Sequence, residues 1–484
     1  MANVIDDPTN DVKSGSPSVK TNYGALVTLT TVFFFWGFVA ASNDILIPVF
    51  KEELHLQQWQ SQMISFAFYV AYTVGSILYL IISLILKRDI LLKIGYKKGI
   101  SLGLTISALG TLLFIPAASL ESFGLMISGL FVVGLGFSLQ QTAANPLVIS
   151  LGDPTSGSQR LSLAGGVNNI GTTIGPVLIG LAIFGSTSGP VGDVSIDSIK
   201  IPYLLLGLSF LIVAGLIMLS KIPNHLESTD ETTVKTSKSL FDYPQLYLGM
   251  IAIFVYVGVE VATAGNLGDL LKVEFGMKSN EITPYISLFW ASLMIGRWTS
   301  AADVFSSNQI IRNIFRVVLP YAAFGIFMLV NAINHQDLSQ LYYYPFVIIV
   351  LILAEYLSKG NPARQLAIFS CLGITALLIG MFSDGLTSIY AFISVGLFCS
   401  TLWPCVFTLG ISGLGNYTNK GSGFLVMMIM GGGFISVFQG LLVDQESIGI
   451  RLSFFVGVGC FLYLLFYAIK MLGMNKRKDV DLEF

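Results

Sequence analysis

The chain has 484 residues, 54% of them hydrophobic and only 11% charged, with a mean hydropathy of +0.76. Soluble domains usually carry about 25% charged residues, so most of this chain's surface is solvated by lipid. A net charge of −2 argues against a nucleic-acid partner, and no Ser-His-Asp arrangement or metal-ligand spacing points to an enzyme.

Residues 1–22 are polar and rich in Asp, Ser and Lys, which predicts a disordered tail rather than a cleavable leader. Against a span of about 20 residues, hydropathy then predicts six segments near 24–50, 61–86, 99–118, 122–151, 161–184 and 202–220. The polar run Lys221–Asp242 is read as a linker. After it come segments near 244–270, 283–302, 314–333, 342–358, 365–382, 388–412, 421–443 and 450–472, about fourteen in all. All four cysteines (Cys371, Cys399, Cys405 and Cys460) lie in apolar runs and are expected to be buried thiols. The three histidines (His55, His225 and His335) fall in polar connections.

The first segment contains FFFWGFVAASNDILIP, Phe33 to Pro48, with Asn43-Asp44 inside it. An aspartate at the centre of a bilayer-spanning helix costs roughly 3 kcal/mol on insertion scales. Asp44 is therefore expected to face a watery cavity and to be functional. Orientation follows from the basic residues. With the N-terminus inside, every Lys and Arg except Lys51, Lys200, Lys272, Lys278 and Arg451 falls on the inner side, and both termini are cytoplasmic.

The two halves echo each other. Segment four ends Pro146-LVIS-Leu151-Gly152, followed by a polar turn and a Gly-rich segment; much later Pro404-CVFT-Leu409-Gly410 does the same. The first segment of each half also pairs a glycine with a carboxylate, Gly37 with Asp44 and Gly258 with Glu260. Two echoes in the same order predict a duplicated six-helix unit. Fourteen segments exceed twelve by two, and the hairpin 314–358 fits as an insertion that preserves the topology after it, the alternative being that one of its segments is interfacial. The expected division is a tail at 1–22, a six-helix bundle at 23–220, a linker at 221–243, a second bundle at 244–472 carrying the hairpin, and a tail at 473–484.

Polar residues inside the segments follow helical spacing. Ser138, Gln141 and Asn145 form one stripe beside Pro146, with Gln140 turned about 100° away. Asn168 lies over Thr172, Asn169 over Thr173, and Tyr256, Glu260 and Thr263 stack on segment seven. Gln439, Trp290 and Trp403 are further candidates. A single amide in a membrane often only glues helices, at about 0.6–2 kcal/mol per bond. As a collection, amides, carboxylates and aromatic faces suit a polyhydroxylated ligand held between the repeats. Gly171-TTI-Gly175, Gly99-ISL-Gly103 and Gly431-Gly432-Gly433 allow close packing or hinging. Lys87-Arg88-Asp89 and Gly296-Arg297 flank inner loops, where positive-inside bias accounts for most of the charge and a gate latched by Arg–Asp pairs is the alternative.

FFFWGF…SNDILIP, LQQTAANP, SQRLSLAGGVNNIG and GSGFLVMMIMGGG together resemble the fucose/galactose/glucose–proton symporter family of the major facilitator superfamily. The similarity covers roughly 24–302 and 365–472. It implies an all-α polytopic membrane protein with the major facilitator fold: two pseudo-symmetric six-helix bundles, here with an added two-helix hairpin, rocking around a central sugar site in a bacterial cytoplasmic membrane. By motif position Asp44 looks like the family's proton- and sugar-linked aspartate, and Asn168 like its sugar-contacting asparagine. Fucose-transporting members carry a glutamate where this chain has Gln141, so the sequence resembles the glucose/galactose branch more. If protons drive transport, Asp44 or Glu260 must carry them.

The expectation is proton-coupled import of a hexose. Asp44 and Glu260 would serve coupling, and Asn43, Gln141, Asn145, Asn168, Gln439, Trp290 and Trp403 would contact the sugar. No cofactor is expected beyond H+ or, alternatively, Na+, and no partner beyond sugar and lipid, for a monomer. Sodium coupling, proton-driven export of another solute, and a transport-dead sensor are the rival readings.

Overall fold

The computed structural model describes residues 21–53, 58–184, 199–224, 240–277, 279–306, 308–333 and 336–477. Within these ranges the side chains of 40–53, 58–65, 176–177, 179–184, 241, 279–280 and 475–477 are not described. The three histidines lie outside the described residues, as do the side chains of Asn43 and Asp44.

Each predicted segment corresponds to a helical rod. In chain order these are α1 (Tyr23–Glu53), α2 (Gln58–Ile85), α3 (Tyr96–Ser119), α4 (Phe123–Ser150), α5 (Gly157–Phe184), α6 (Lys200–Leu219), α7 (Pro244–Phe275) and α8 (Ser279–Ser300). Then follow α9 (Gln309–Ile333), α10 (Ser339–Ser358), α11 (Pro362–Phe382), α12 (Gly385–Ile411), α13 (Gly415–Val443) and α14 (Gly449–Met474). Among the described residues, eleven of these are long and apolar enough to cross a bilayer.

Local signals account for the ends. Pro244 occupies the first turn of α7, and Gly276 closes it in the left-handed conformation at φ 65°. Asn361 caps α11 by accepting from the Arg364 N–H at 3.0 Å, with Pro362 next in line. Asp89 spends its carboxylate on the Leu91 N–H and both of its oxygens on the Tyr79 hydroxyl, each at 2.8 Å. It therefore braces the α2–α3 turn, which replaces the Arg–Asp latch considered for that loop. In the second half, α12 is interrupted at Ser400–Thr401 and α13 at the 3₁₀ turn Met428–Met430.

The two halves pack by one scheme. In the first, α1 lies on α5, α2 and α3 on α4, and α3 on α6; in the second, α7 lies on α13, α8 and α11 on α12, and α11 on α14. Rods α9 and α10 stand outside that scheme, packed on α8, α11 and α12. The equivalent seams are equally tight. A Cβ on Gly37 would sit 2.0 Å from the Asn168 carbonyl oxygen, and one on Gly171 2.2 Å from that of Phe34. Across the second seam, a Cβ on Gly431 would sit 2.0 Å from the Phe254 carbonyl oxygen. Backbones thus touch where each half's first and fifth rods cross, which only glycine permits.

The outlying pair is tied on by a buried polar cluster. Glu355 accepts from the Gln365 amide at 2.8 Å, and that amide also reaches Ser300 Oγ at 3.3 Å. Arg316 binds both oxygens of Asp303, at 2.8 and 2.7 Å, with its guanidinium 5.2 Å from the Tyr356 ring centre. Three cysteines are buried as expected. Cys371 is not: helical rotation places it on the exposed face of α11.

The halves meet along α5–α8, α2–α13 and α4–α13. Cross-half hydrogen bonds among the described residues lie at mid-depth or toward the end that carries the basic loops. Tyr23 donates to the Val304 carbonyl at 2.6 Å, Gln159 to that of Gly360 at 3.2 Å, and Ser422 to that of Thr142 at 3.0 Å. The Tyr96 hydroxyl donates to Asn419 Oδ1. The basic end is closed by these contacts.

Candidate functional site

Above that closed end lies a cavity of about 190 Å³ between the halves. At roughly 30 Å³ per water it holds about six waters' worth of space, below the 300–1,000 Å³ typical of drug-sized ligands. Its walls come from both halves: Phe33 and Trp36 of α1, Phe68, Tyr69 and Tyr72 of α2, Gln141 and Asn145 of α4, and Leu161, Gly165 and Asn168 of α5. The second half contributes Tyr256, Val257 and Glu260 of α7, Arg297 of α8, Trp403 and Pro404 of α12, and Ile429 of α13.

Helical geometry explains this selection. Gln141 and Asn145 are one turn apart on α4 and share the cavity face, while Ser138, on the same stripe, bonds Ser76 Oγ and the Tyr72 carbonyl, each at 3.0 Å. Gln140, turned away, is fully buried glue: it accepts from Trp36 Nε1 at 2.6 Å and donates to Ser107 Oγ at 2.9 Å. The echoed prolines put Asn145-Pro146 and Trp403-Pro404 at equivalent places, so one motif supplies an amide from one half and an aromatic face from the other. Trp403 lies 6.3 Å from the Tyr256 ring and 5.6 Å from that of Phe407.

The polar groups differ in how much capacity they keep. Gln141 donates to the Tyr72 hydroxyl at 3.1 Å, and Asn168 to the Phe33 carbonyl at 2.9 Å, leaving both amide oxygens for other donors. Asn145 Nδ2 is buried without any hydrogen-bond partner. A buried amide donor left unpaired costs about 1–3 kcal/mol, a cost that an acceptor entering the cavity would relieve. Glu260 accepts from the Tyr256 hydroxyl one turn away. Arg297 donates from Nε to the Ser400 carbonyl at 3.0 Å, and from Nη1 to the Gly165 carbonyl at 3.3 Å and Asn169 Oδ1 at 2.5 Å.

The structure thus brings together Gln141, Asn145, Asn168, Glu260 and Trp403. It does not bring in Trp290, whose side chain is 38% exposed and whose carbonyl, not its indole, meets Asn169. Nor does it bring in Gln439, which is buried between α13 and α14 and donates to Ser453 Oγ at 3.1 Å. In both cases the helical phase turns the side chain away from the space between the halves. Asn43 and Asp44 lie on α1 with side chains outside the description. Sequence reasoning left out Tyr69, Tyr72 and Phe68, which were indistinguishable from ordinary apolar-segment aromatics, and placed Arg297 in an inner loop. A guanidinium three residues inside the end of a rod was the available signal.

The sequence pattern of the Major Facilitator Superfamily matches residues 27–437, and the chain belongs to this superfamily of membrane transporters, in its fucose/galactose/glucose–proton symporter family. Among its relatives, a glucose/galactose transporter of Brucella abortus is 33% identical, over 96% of this chain and 98% of the relative. The L-fucose-proton symporter of Escherichia coli is 27% identical over 91% of each chain. The crystal structure of a transporter of this superfamily, FucP, in the outward conformation superposes with a TM-score of 0.69 at 26% identity, covering 92% of this chain and 98% of that one. The human organic anion transporter MFSD10 shares the fold at 13% identity, with a TM-score of 0.58 over 92% of this chain and 98% of that one.

Proposed function

We propose that this transporter imports a monosaccharide of the glucose/galactose type by proton-coupled symport with alternating access. The observation that carries the reading is the unpartnered Asn145 amide, buried in a cavity whose other polar groups are the carboxamides of Gln141 and Asn168. Paired hydroxyls of a sugar satisfy such donors and acceptors at once. Trp403, Trp36 and Tyr256 offer faces for the apolar side of the ring. The named substrates of the relatives point the same way.

Asp44 and Glu260 are the carboxylates assigned to coupling. Protonation removes the charge that makes closing a dry cavity over a carboxylate costly, and the bound sugar adds contacts that favour closure. Asn43 is kept as a sugar contact on the sequence argument alone. The protein is placed in the bacterial cytoplasmic membrane as a monomer with both termini inside, and 314–358 is read as a hairpin inserted into the second bundle.

The test is uptake by proteoliposomes of labelled glucose, galactose, fucose and N-acetylglucosamine under an imposed pH gradient. Gradient-driven accumulation of glucose or galactose is expected, with Asp44→Asn abolishing accumulation while sparing sugar exchange. Repeating uptake with and without sodium, at fixed pH and with an ionophore, separates proton from sodium coupling. Failure of all four sugars to enter would overturn the substrate class.

A further inference from the structure

Among the described residues Arg297 is the one basic residue lining the cavity, and it bonds to both halves at once. Its own half supplies one acceptor, the Ser400 carbonyl exposed where α12 is interrupted, and the other half supplies two, the Gly165 carbonyl and Asn169 Oδ1 on α5. The fit is specific to small neighbours: a Cβ on Gly165 would stand 3.1 Å from Arg297 Cδ and 3.3 Å from Nη1. Asn169 is held in turn by donating to the Trp290 carbonyl at 3.4 Å, and its side chain is buried. The α5–α8 seam is one of the extensive contacts between the halves.

Alternating access requires α5 and α8 to separate at the basic end. Separation strips Arg297 of two of its three acceptors. A carboxylate within reach offers the strongest replacement, a charge-assisted bond. Glu260 lines the same cavity, lies on α7 of the same half, and moves with Arg297 rather than away from it. Among the described residues these two form no ion pair in the closed state, where Glu260 is held by Tyr256 instead.

We propose that Arg297 is the latch of the transport cycle, bonded across the halves to Asn169 and Gly165 while the basic end is closed and handed to Glu260 when it opens. The latch rests only on transport by alternating access. The hand-over also rests on proton coupling, because a carboxyl approached by a guanidinium gives up its proton, and release would then occur toward the end that has just opened. Among the described residues, the ionisable groups around Glu260 are Tyr256 on its own rod, Arg297 on α8 and Cys399 on α12, with Cys460 of α14 behind Cys399 and Tyr69 and Tyr72 across the cavity. The facing part of α13, Gly431–Val437, has no ionisable side chain.

Spin labels at Lys93→Cys and Asn416→Cys, in a Cys371→Ser background, report the distance between the halves at the basic end. Both positions are exposed at that end, Lys93 between α2 and α3 and Asn416 in the first turn of α13. Measured on the full chain in nanodiscs without substrate, Arg297→Gln and Asn169→Ala should each raise the ratio of separated to closed molecules about tenfold, the worth of one charge-assisted bond. Asn169→Ala removes the acceptor without disturbing Arg297, so the test survives if Arg297→Gln fails to fold. In the otherwise unaltered protein the separated fraction should rise with pH, and Glu260→Gln should abolish that rise. If neither Arg297→Gln nor Asn169→Ala shifts the distances, the latch is overturned. If Asp44→Asn rather than Glu260→Gln removes the pH response, the hand-over is overturned. Neither result depends on whether the transported solute is a sugar, so a failed uptake assay and a failed latch remain distinct.

Discussion

Asn145 illustrates what a single side chain can contribute. Its neighbour Gln141 already bonds Tyr72, and Asn168 bonds the α1 backbone, but the Asn145 donor is spent on nothing. Replacing it by alanine removes an unsatisfied donor from the empty protein and a hydrogen bond from the loaded one. Asn145→Ala should therefore leave thermal stability unchanged or slightly raised while weakening binding of the transported sugar by about 1–2 kcal/mol, or roughly five- to thirtyfold. Equilibrium binding together with a melting curve checks both signs. Gln140→Ala should behave in the opposite way. It breaks the buried Trp36–Gln140–Ser107 chain and lowers stability by about 1–3 kcal/mol, although Gln140 itself does not line the cavity. The two amides differ by five positions in sequence and about 140° around the helix, and that difference decides their roles.

At the scale of elements, the seam between α1 and α5 governs how rigidly each half moves. Backbone contact at Gly37 and Gly171 leaves no room for a side chain, so Gly171→Val should destabilise the protein by about 1–3 kcal/mol or block assembly of the first half. Gly433, in the triple glycine of α13, has nothing within 4 Å of its would-be Cβ. Gly433→Ala should be tolerated and, by helix propensity, slightly stabilising at up to about 1 kcal/mol. Thermal unfolding of the two variants in detergent distinguishes a packing seam from a stretch that is merely glycine-rich. The interruptions of α12 and α13 belong to this scale too, since they expose backbone carbonyls beside the cavity, one of which Arg297 uses.

The whole molecule is caught with its basic end shut. Ser422 of α13 donates to the Thr142 carbonyl of α4 across the halves. A Thr142→Cys/Ser422→Cys pair should therefore cross-link on oxidation and stop transport, with reduction restoring it; uptake that continues in the cross-linked protein would contradict a moving contact there. The experiment uses a Cys371→Ser background, because Cys371 is exposed whereas the other three native cysteines are buried.

Much of this architecture was legible in the sequence. Lipid-solvated spans need about twenty apolar residues whatever their neighbours, so hydropathy located all fourteen rods to within a few residues. The proline echoes revealed the duplication because the same local chemistry recurs in both halves. Helical phase picked out Gln141, Asn145 and Asn168, since side chains four apart share a face in any helix. Phase cannot say what the face looks at. Trp290 and Gln439 had the right chemistry and pointed away from the cavity, while Arg297, by sequence an ordinary positive residue near a loop, became the bond between the halves. Those outcomes depend on how two bundles are rotated against each other, a matter of side-chain packing between residues more than a hundred positions apart, and only the tertiary structure decided them.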